Sequence, residues 1–124
     1  MRNFPTVAIV DDDDAVRDAL CDLLIVSGIE CRSFSKASEF LSAYENDDFD
    51  CLITDIHMPE ISGIDLLEKL KETRSTLPVI VLTSIQDEKI CAKAMKLGAR
   101  CWLVKPAPEG RLLREVDAAM EGRS

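Results

Sequence analysis

Cys51-Leu52-Ile53-Thr54-Asp55, followed by Ile56-His57-Met58-Pro59, is the stretch on which the reading of this chain turns. An apolar run leads into a single carboxylate, and a proline soon afterwards keeps the strand from simply continuing. A strand buried on both faces would deliver Asp55 to the C-terminal edge of a parallel sheet, where open α/β folds place their ligands. Asp55 is therefore a candidate nucleophile for a phosphoryl group. Taken alone it is more readily a strand-end aspartate capping a turn, so its neighbours have to decide.

Working towards the N-terminus, Thr6-Val7-Ala8-Ile9-Val10 is a second continuous apolar run, and it ends in Asp11-Asp12-Asp13-Asp14. Val16, Leu20, Leu23 and Leu24 follow at helical spacing, with Arg17, Asp18 and Asp22 on the other face and Gly28 as the stop. Asp13 or Asp14 suits the N-cap of that helix, which leaves Asp11 and Asp12 without a structural duty. Ile29 to Phe34 reads as a short, partly polar edge strand. Ser35 is positioned to cap a helix whose stripe is Ala37, Phe40, Leu41 and Tyr44.

Towards the C-terminus, Gly63 precedes a helix with Ile64, Leu67 and Leu70 inward. Pro78 to Leu82 is a buried strand ending at Thr83-Ser84. A helix over about 86–97 turns Ile90, Ala94 and Met95 inward and carries Lys89, Lys93 and Lys96 as a basic face, and Gly98 stops it. Cys101 to Val104 is a fifth strand ending at Lys105-Pro106, and the last helix carries Leu112, Leu113, Val116 and Met120. Strands alternating with helices predict an α/β (βα)5 architecture, a flavodoxin-like three-layer sandwich. For five parallel strands the natural order is 2-1-3-4-5, with the site beside the first strand.

Composition sets the bounds. The 124 residues suit a single domain over 1–124, with about 5–121 as its structured core. A net charge of −8 predicts that the surface repels nucleic acid and anionic membrane. Apolar runs such as Leu23 to Val26 are too short to span a bilayer. The first residues do not resemble a signal peptide, so the expected location is the cytoplasm. Five cysteines, an odd number without a CxxC pair, fit neither a disulfide framework nor a zinc site and read as buried thiols.

In such a sheet Asp11, Asp12, Asp55, Thr83 and Lys105 all arrive at one edge. Clustered carboxylates repel, and either protonate or recruit a hard cation. Mg²⁺ favours oxygen ligands and commonly joins carboxylates to phosphate oxygens. With the charge offset, Asp55 can attack a phosphoryl donor and form an aspartyl phosphate. The lysine and the threonine hydroxyl can then stabilise the equatorial oxygens.

These features resemble, over nearly the whole length, the receiver domains of bacterial two-component response regulators. The resemblance rests on Val10-Asp11-Asp12, on Asp55 through Pro59 with Gly63, on Thr83, and on Lys105-Pro106. It implies that Asp55 accepts phosphate from a sensor histidine kinase or phosphotransfer protein. It also implies Mg²⁺ (or Mn²⁺) on Asp12, Asp55 and the main-chain carbonyl of His57, with Asp11 acting through water. Thr83 and Lys105 would hold the phosphoryl oxygens, and the Lys105-Pro106 bond would be cis. Thr83 and Trp102, the latter where the family usually carries Tyr or Phe, would switch the face made by the fourth helix, fifth strand and fifth helix. That face would serve a downstream effector or a homodimer formed through it. Ile85 would shield the acyl phosphate and slow its hydrolysis. His57, the only histidine, would face solvent near the site. The chain would thus be a signalling acceptor rather than a turnover enzyme.

The rival enzyme reading is a haloacid-dehalogenase-like phosphatase, with Asp11 as nucleophile and Asp13 as acid/base. An FMN-binding flavodoxin is disfavoured by four aspartates where a phosphate cradle should be. A receiver-like module without phosphorylation is disfavoured by the complete residue set.

Overall fold

The computed structural model describes residues 5–121. The first residues, read above for targeting, and the tail Gly122-Arg123-Ser124 lie outside them. Five strands alternate with five helices: β1 (Thr6–Val10), α1 (Asp14–Val26), β2 (Glu30–Phe34), α2 (Ala37–Tyr44), β3 (Cys51–Thr54), α3 (Gly63–Glu72), β4 (Val79–Thr83), α4 (Glu88–Lys96), β5 (Cys101–Val104) and α5 (Glu109–Glu121). The sheet order is β2-β1-β3-β4-β5, and every pair is parallel. This is the expected flavodoxin-like order.

The apolar runs explain the layering. Successive strand side chains point to opposite faces, so β1, β3 and β4 feed two cores at once. Val7, Ile9, Cys51, Ile53, Ile80 and Leu82 face α1 and α5, where Leu20, Leu24, Leu112 and Val116 meet them. Ala8, Val10, Leu52, Val79 and Val81 face α2, α3 and α4, where Phe40, Leu66, Leu67 and Ala94 pack. Each fully buried Ile or Leu contributes roughly 1.5–3 kcal/mol, which is why the middle of each of these strands is wholly apolar. The polar strand β2 lies at an edge, as its composition predicts.

Local signals are mostly where the residues place them. Asp13 caps α1 by accepting from Ala15 N and Val16 N. Ser62 and Asp65 form a reciprocal capping box on α3. Gly28 and Gly98 take positive φ after α1 and α4. Among the described residues no helix is long and apolar enough to cross a membrane.

Four expectations are corrected. Lys36, not Ser35, occupies the N-cap of α2, because the Ser35 hydroxyl donates to Glu39 instead. Met95 is exposed, since α4 is shallow on the sheet and Ala94 alone is deeply buried. Arg17, assigned to the solvent face of α1, has a side chain only 15% exposed and turns back to the site. The cysteines are not all buried free thiols: Cys21 and Cys31 form a disulfide, and of the rest only Cys51 is buried. The turn through Ser27 and Gly28 brings β2 back along α1, so residues ten apart in sequence face one another.

Candidate functional site

The C-terminal ends of β1, β3, β4 and β5 meet at one rim. Asp11 leaves β1 with its N–H donated to Phe34 O of β2 at 3.1 Å, and Asp55 leaves β3 with its N–H donated to Val10 O at 3.0 Å. Adjacent parallel strands thus fix both backbones before any side-chain contact is made. Asp11, Asp12 and Asp55 each present a carboxylate oxygen, all within 4.8 Å of one another. Asp11 and Asp55 are buried, whereas Asp12 is exposed.

Lys105, from the end of β5, lies between the two buried acids. Its Nζ donates to Asp11 Oδ2 at 2.7 Å and to Asp55 Oδ2 at 2.9 Å. Burial pulls the ammonium's pKa down, but the hydrogen bonds and charges of Asp11 and Asp55 outweigh it and hold Lys105 above its ordinary value. The Lys105-Pro106 bond is cis, and Lys105 N–H donates to Thr83 O at 2.8 Å.

The remaining carboxylate oxygens are held by the loops. Asp11 Oδ1 accepts from Asp13 N at 2.9 Å, and Asp55 Oδ1 accepts from Ile56 N at 2.6 Å. Arg17 Nη1 donates to Asp11 O at 2.6 Å, and Arg17 also pairs with Asp14. Arg17 and the Ile56 N–H are site groups that sequence reasoning missed. The signal for Arg17 was its place in the second turn of the helix that the acidic run opens, within reach back to that run.

Gly63 has a steric reason to be glycine. A Cβ there would lie 2.2 Å from Asp55 O and 2.9 Å from Ile56 Cα, both backbone atoms. Its N–H donates to Ile56 O at 2.8 Å, so α3 begins directly against the Asp55 loop. Pro59 and His57 are exposed in that loop.

Thr83 is fully buried at the end of β4, its hydroxyl accepting from Ile85 N at 3.3 Å. Trp102 sits opposite Val81 on β5, half-buried, beside a cleft of about 480 Å³ shared with Asp87 and Cys91 of the α4 side. A second, apolar cleft of about 250 Å³ opens between α1 and α5 next to Lys105, lined by Val16, Leu20 and Leu112.

The donor set tests what cation could fit. One ammonium cannot neutralise three carboxylates, so the rim retains negative charge. All three donors are hard oxygens without a sulfur or imidazole among them, which suits Mg²⁺ or Mn²⁺ and not zinc. Exposed Asp12 leaves the cluster open to water, which Mg²⁺ commonly keeps as ligand. The rival phosphatase arrangement fares worse, because its second acid, Asp13, is engaged as the α1 cap.

Known proteins share this arrangement of chain. The response regulator receiver domain family matches residues 7–117. Transcriptional regulatory protein FixJ of Azorhizobium caulinodans is 41% identical over 118 residues, covering 95% of this chain and 56% of FixJ. Response regulator protein TodT of Pseudomonas putida is 38% identical over 115 residues, covering 93% of this chain and 51% of TodT. The chain therefore spans about half the length of these curated relatives. A solved response regulator receiver domain protein from Clostridium thermocellum superposes with a TM-score of 0.90 at 30% identity, covering 97% of each chain.

Proposed function

The chain belongs to the response regulator receiver domain family, and from that footing we propose that Asp55 accepts a phosphoryl group from a histidine kinase or phosphotransfer protein. The observation that carries this reading is Lys105 bound to both Asp11 and Asp55 beside Asp12, with Thr83 ending the neighbouring strand.

An Asp55 carboxylate oxygen attacks phosphorus in line, the phosphorus–nitrogen bond of the donor phosphohistidine breaks, and its electron pair leaves with the imidazole. Lys105 follows the negative charge from carboxylate to phosphoryl oxygen, and the Thr83 hydroxyl turns from Ile85 N–H to the same group. Mg²⁺ or Mn²⁺ would be held by Asp11, Asp12, Asp55 and the main-chain carbonyl of His57, and when bound supplies the positive charge that lets an anionic donor approach. The apolar cleft beside Lys105 offers the donor protein a surface next to the acceptor.

The output follows from Thr83. Its shift vacates space next to β5, and Trp102, already bordering an open cleft, changes its packing there. The α4–β5–α5 face is thereby biased between two states, for a downstream effector or a second copy of the chain to read. In this reading residues 1–124 are one signalling domain working in the cytoplasm, and the chain contacts neither nucleic acid nor membrane itself.

The test is incubation with Mg²⁺ and acetyl phosphate, followed by mapping of the modified residue. Phosphate on Asp55, absent in Asp55→Asn, is the expected result. Modification of Asp11, or none, overturns the reading. Trp102 fluorescence followed in the same titration reports cation binding.

A further inference from the structure

The Cys21–Cys31 bond has no part in phosphoryl transfer, yet it joins α1 and β2, the two elements that hydrogen-bond the Asp11 backbone. Cys21 lies one helical turn beyond Arg17, whose guanidinium holds Asp11 O. Cys31 lies three residues before Phe34, whose carbonyl holds Asp11 N. The bond spans α1 to the edge strand β2 with a Cα–Cα distance of 5.5 Å, well inside the usual range of about 4.4–6.8 Å. We propose that Cys21 and Cys31 form a reversible dithiol/disulfide site, oxidised by a hydroperoxide and reduced by small thiols, whose bond locks together the supports of Asp11.

Three observations single out this pair. Both residues are half-buried, so a small solvent-borne oxidant reaches them, whereas Cys51 is fully enclosed in the sheet. Cys91 lies on α4, across the sheet from α1, and cannot meet Cys21. Cys101 is tied to Glu115, and burial together with that carboxylate pushes its thiol up to about 11, so it stays protonated and unreactive. The fold does not depend on the bond: Leu20, Leu24 and Ile29 are buried against the sheet, and β1 pairs with β2 along its whole length. A disulfide of this kind in a reducing compartment is transient and redox-sensing.

The chemistry balances with hydrogen peroxide as oxidant. One thiolate of the pair takes an oxygen atom and becomes a sulfenic acid, and the peroxide's other oxygen leaves as hydroxide, which a proton converts to water. The second thiol attacks that sulfur and expels its oxygen as water, forming the S–S bond. Two thiols thus lose two protons and two electrons, and one peroxide becomes two waters. Two equivalents of a small thiol reverse the step by exchange.

Reduction removes the cross-link between α1 and β2 while both stay packed on the sheet, which loosens the loop carrying Asp11 and Asp12. The link from that loop to the acceptor rests on the reading of Asp55 given above. The test uses the full chain, reduced, desalted and treated with equimolar hydrogen peroxide, then alkylated under denaturing conditions and weighed. Five alkylated cysteines before oxidation, three after it and five again after dithiothreitol are expected, with Cys21 and Cys31 in one cross-linked peptide. Five after peroxide, or a different pairing, overturns the site. Hydrogen exchange then compares both states: the peptide over residues 11–17 should exchange several-fold more slowly when oxidised, and Cys21→Ser and Cys31→Ser should match the reduced form throughout. Equal exchange in the two states overturns the coupling. Neither measurement requires phosphorylation, so an unlabelled Asp55 would refute the acceptor reading while leaving this one standing.

Discussion

Lys105 Nζ donates to Asp55 Oδ2 at 2.9 Å, joining the ends of β5 and β3, strands that β4 separates. The same ammonium binds Asp11 of β1. Removing it strands two buried carboxylates. Lys105→Met should cost about 2–3 kcal/mol in the absence of divalent cation, and less in millimolar Mg²⁺. Urea unfolding with and without Mg²⁺ checks this, and an equal loss in both conditions would contradict it.

Asp12 answers in the opposite sense. It is exposed and adds charge to an already anionic cluster, so Asp12→Asn should relieve repulsion. A rise in melting temperature of about 1–3 °C without cation is expected, the effect of a few tenths of a kcal/mol. The stabilisation that wild type gains from Mg²⁺ should shrink at the same time. Thermal melts across a Mg²⁺ series read both.

Gly63→Ala places a methyl group against the Asp55 carbonyl. The two nearest atoms are backbone, so moving the Ile56 side chain alone gives no relief and the β3–α3 loop has to shift. A loss of about 2–4 kcal/mol is expected, together with slower labelling of Asp55 by acetyl phosphate. Denaturant titration and a labelling time course measure the two effects.

The Cys101 thiol, pushed up to about 11 by burial and by Glu115, gives the fold an alkaline limit. Its folded value is raised, so its contribution is complete below its ordinary value of 9.0 and is lost as pH rises towards 11. Lys105, also raised, loses its contribution only above its ordinary 10.5. Urea midpoints should fall between pH 9 and 11, and Cys101→Ser should flatten that fall. An unchanged slope in the variant would remove Cys101 as the cause.

Ile85 is half-buried beside Thr83 and donates its N–H to the threonine hydroxyl. With Asp55 as the proposed acceptor, an apolar side chain here would hinder an attacking water. Ile85→Glu should lose phosphate from Asp55 several-fold faster than wild type when radiolabel decay is followed, and equal decay would sink the idea.

The fold was readable because its three central strands, β1, β3 and β4, are buried on both faces, so apolar runs such as Val79 to Leu82 announce themselves without alternation. The site was readable because polar residues terminate those runs. What escaped depends on distance through space. Arg17 reads as one more charged residue on a helix until the β1–α1 loop brings Asp11 O within reach. Cys21 and Cys31 carry no spacing motif, and only the reversal after α1 sets them opposite each other. Met95 was misplaced because helical spacing marks a face without saying how deeply that face sinks.

The clamp on Lys105 also has an order of decay built into it. A drifting copy that exchanges the lysine first must carry two enclosed anions with no counter-ion, whereas one that first exchanges an aspartate relaxes a repulsion. Neutral wandering is therefore open through the acids and obstructed through the base. A descendant that had stopped signalling would be expected to keep the lysine at this position after one of its carboxylates had gone.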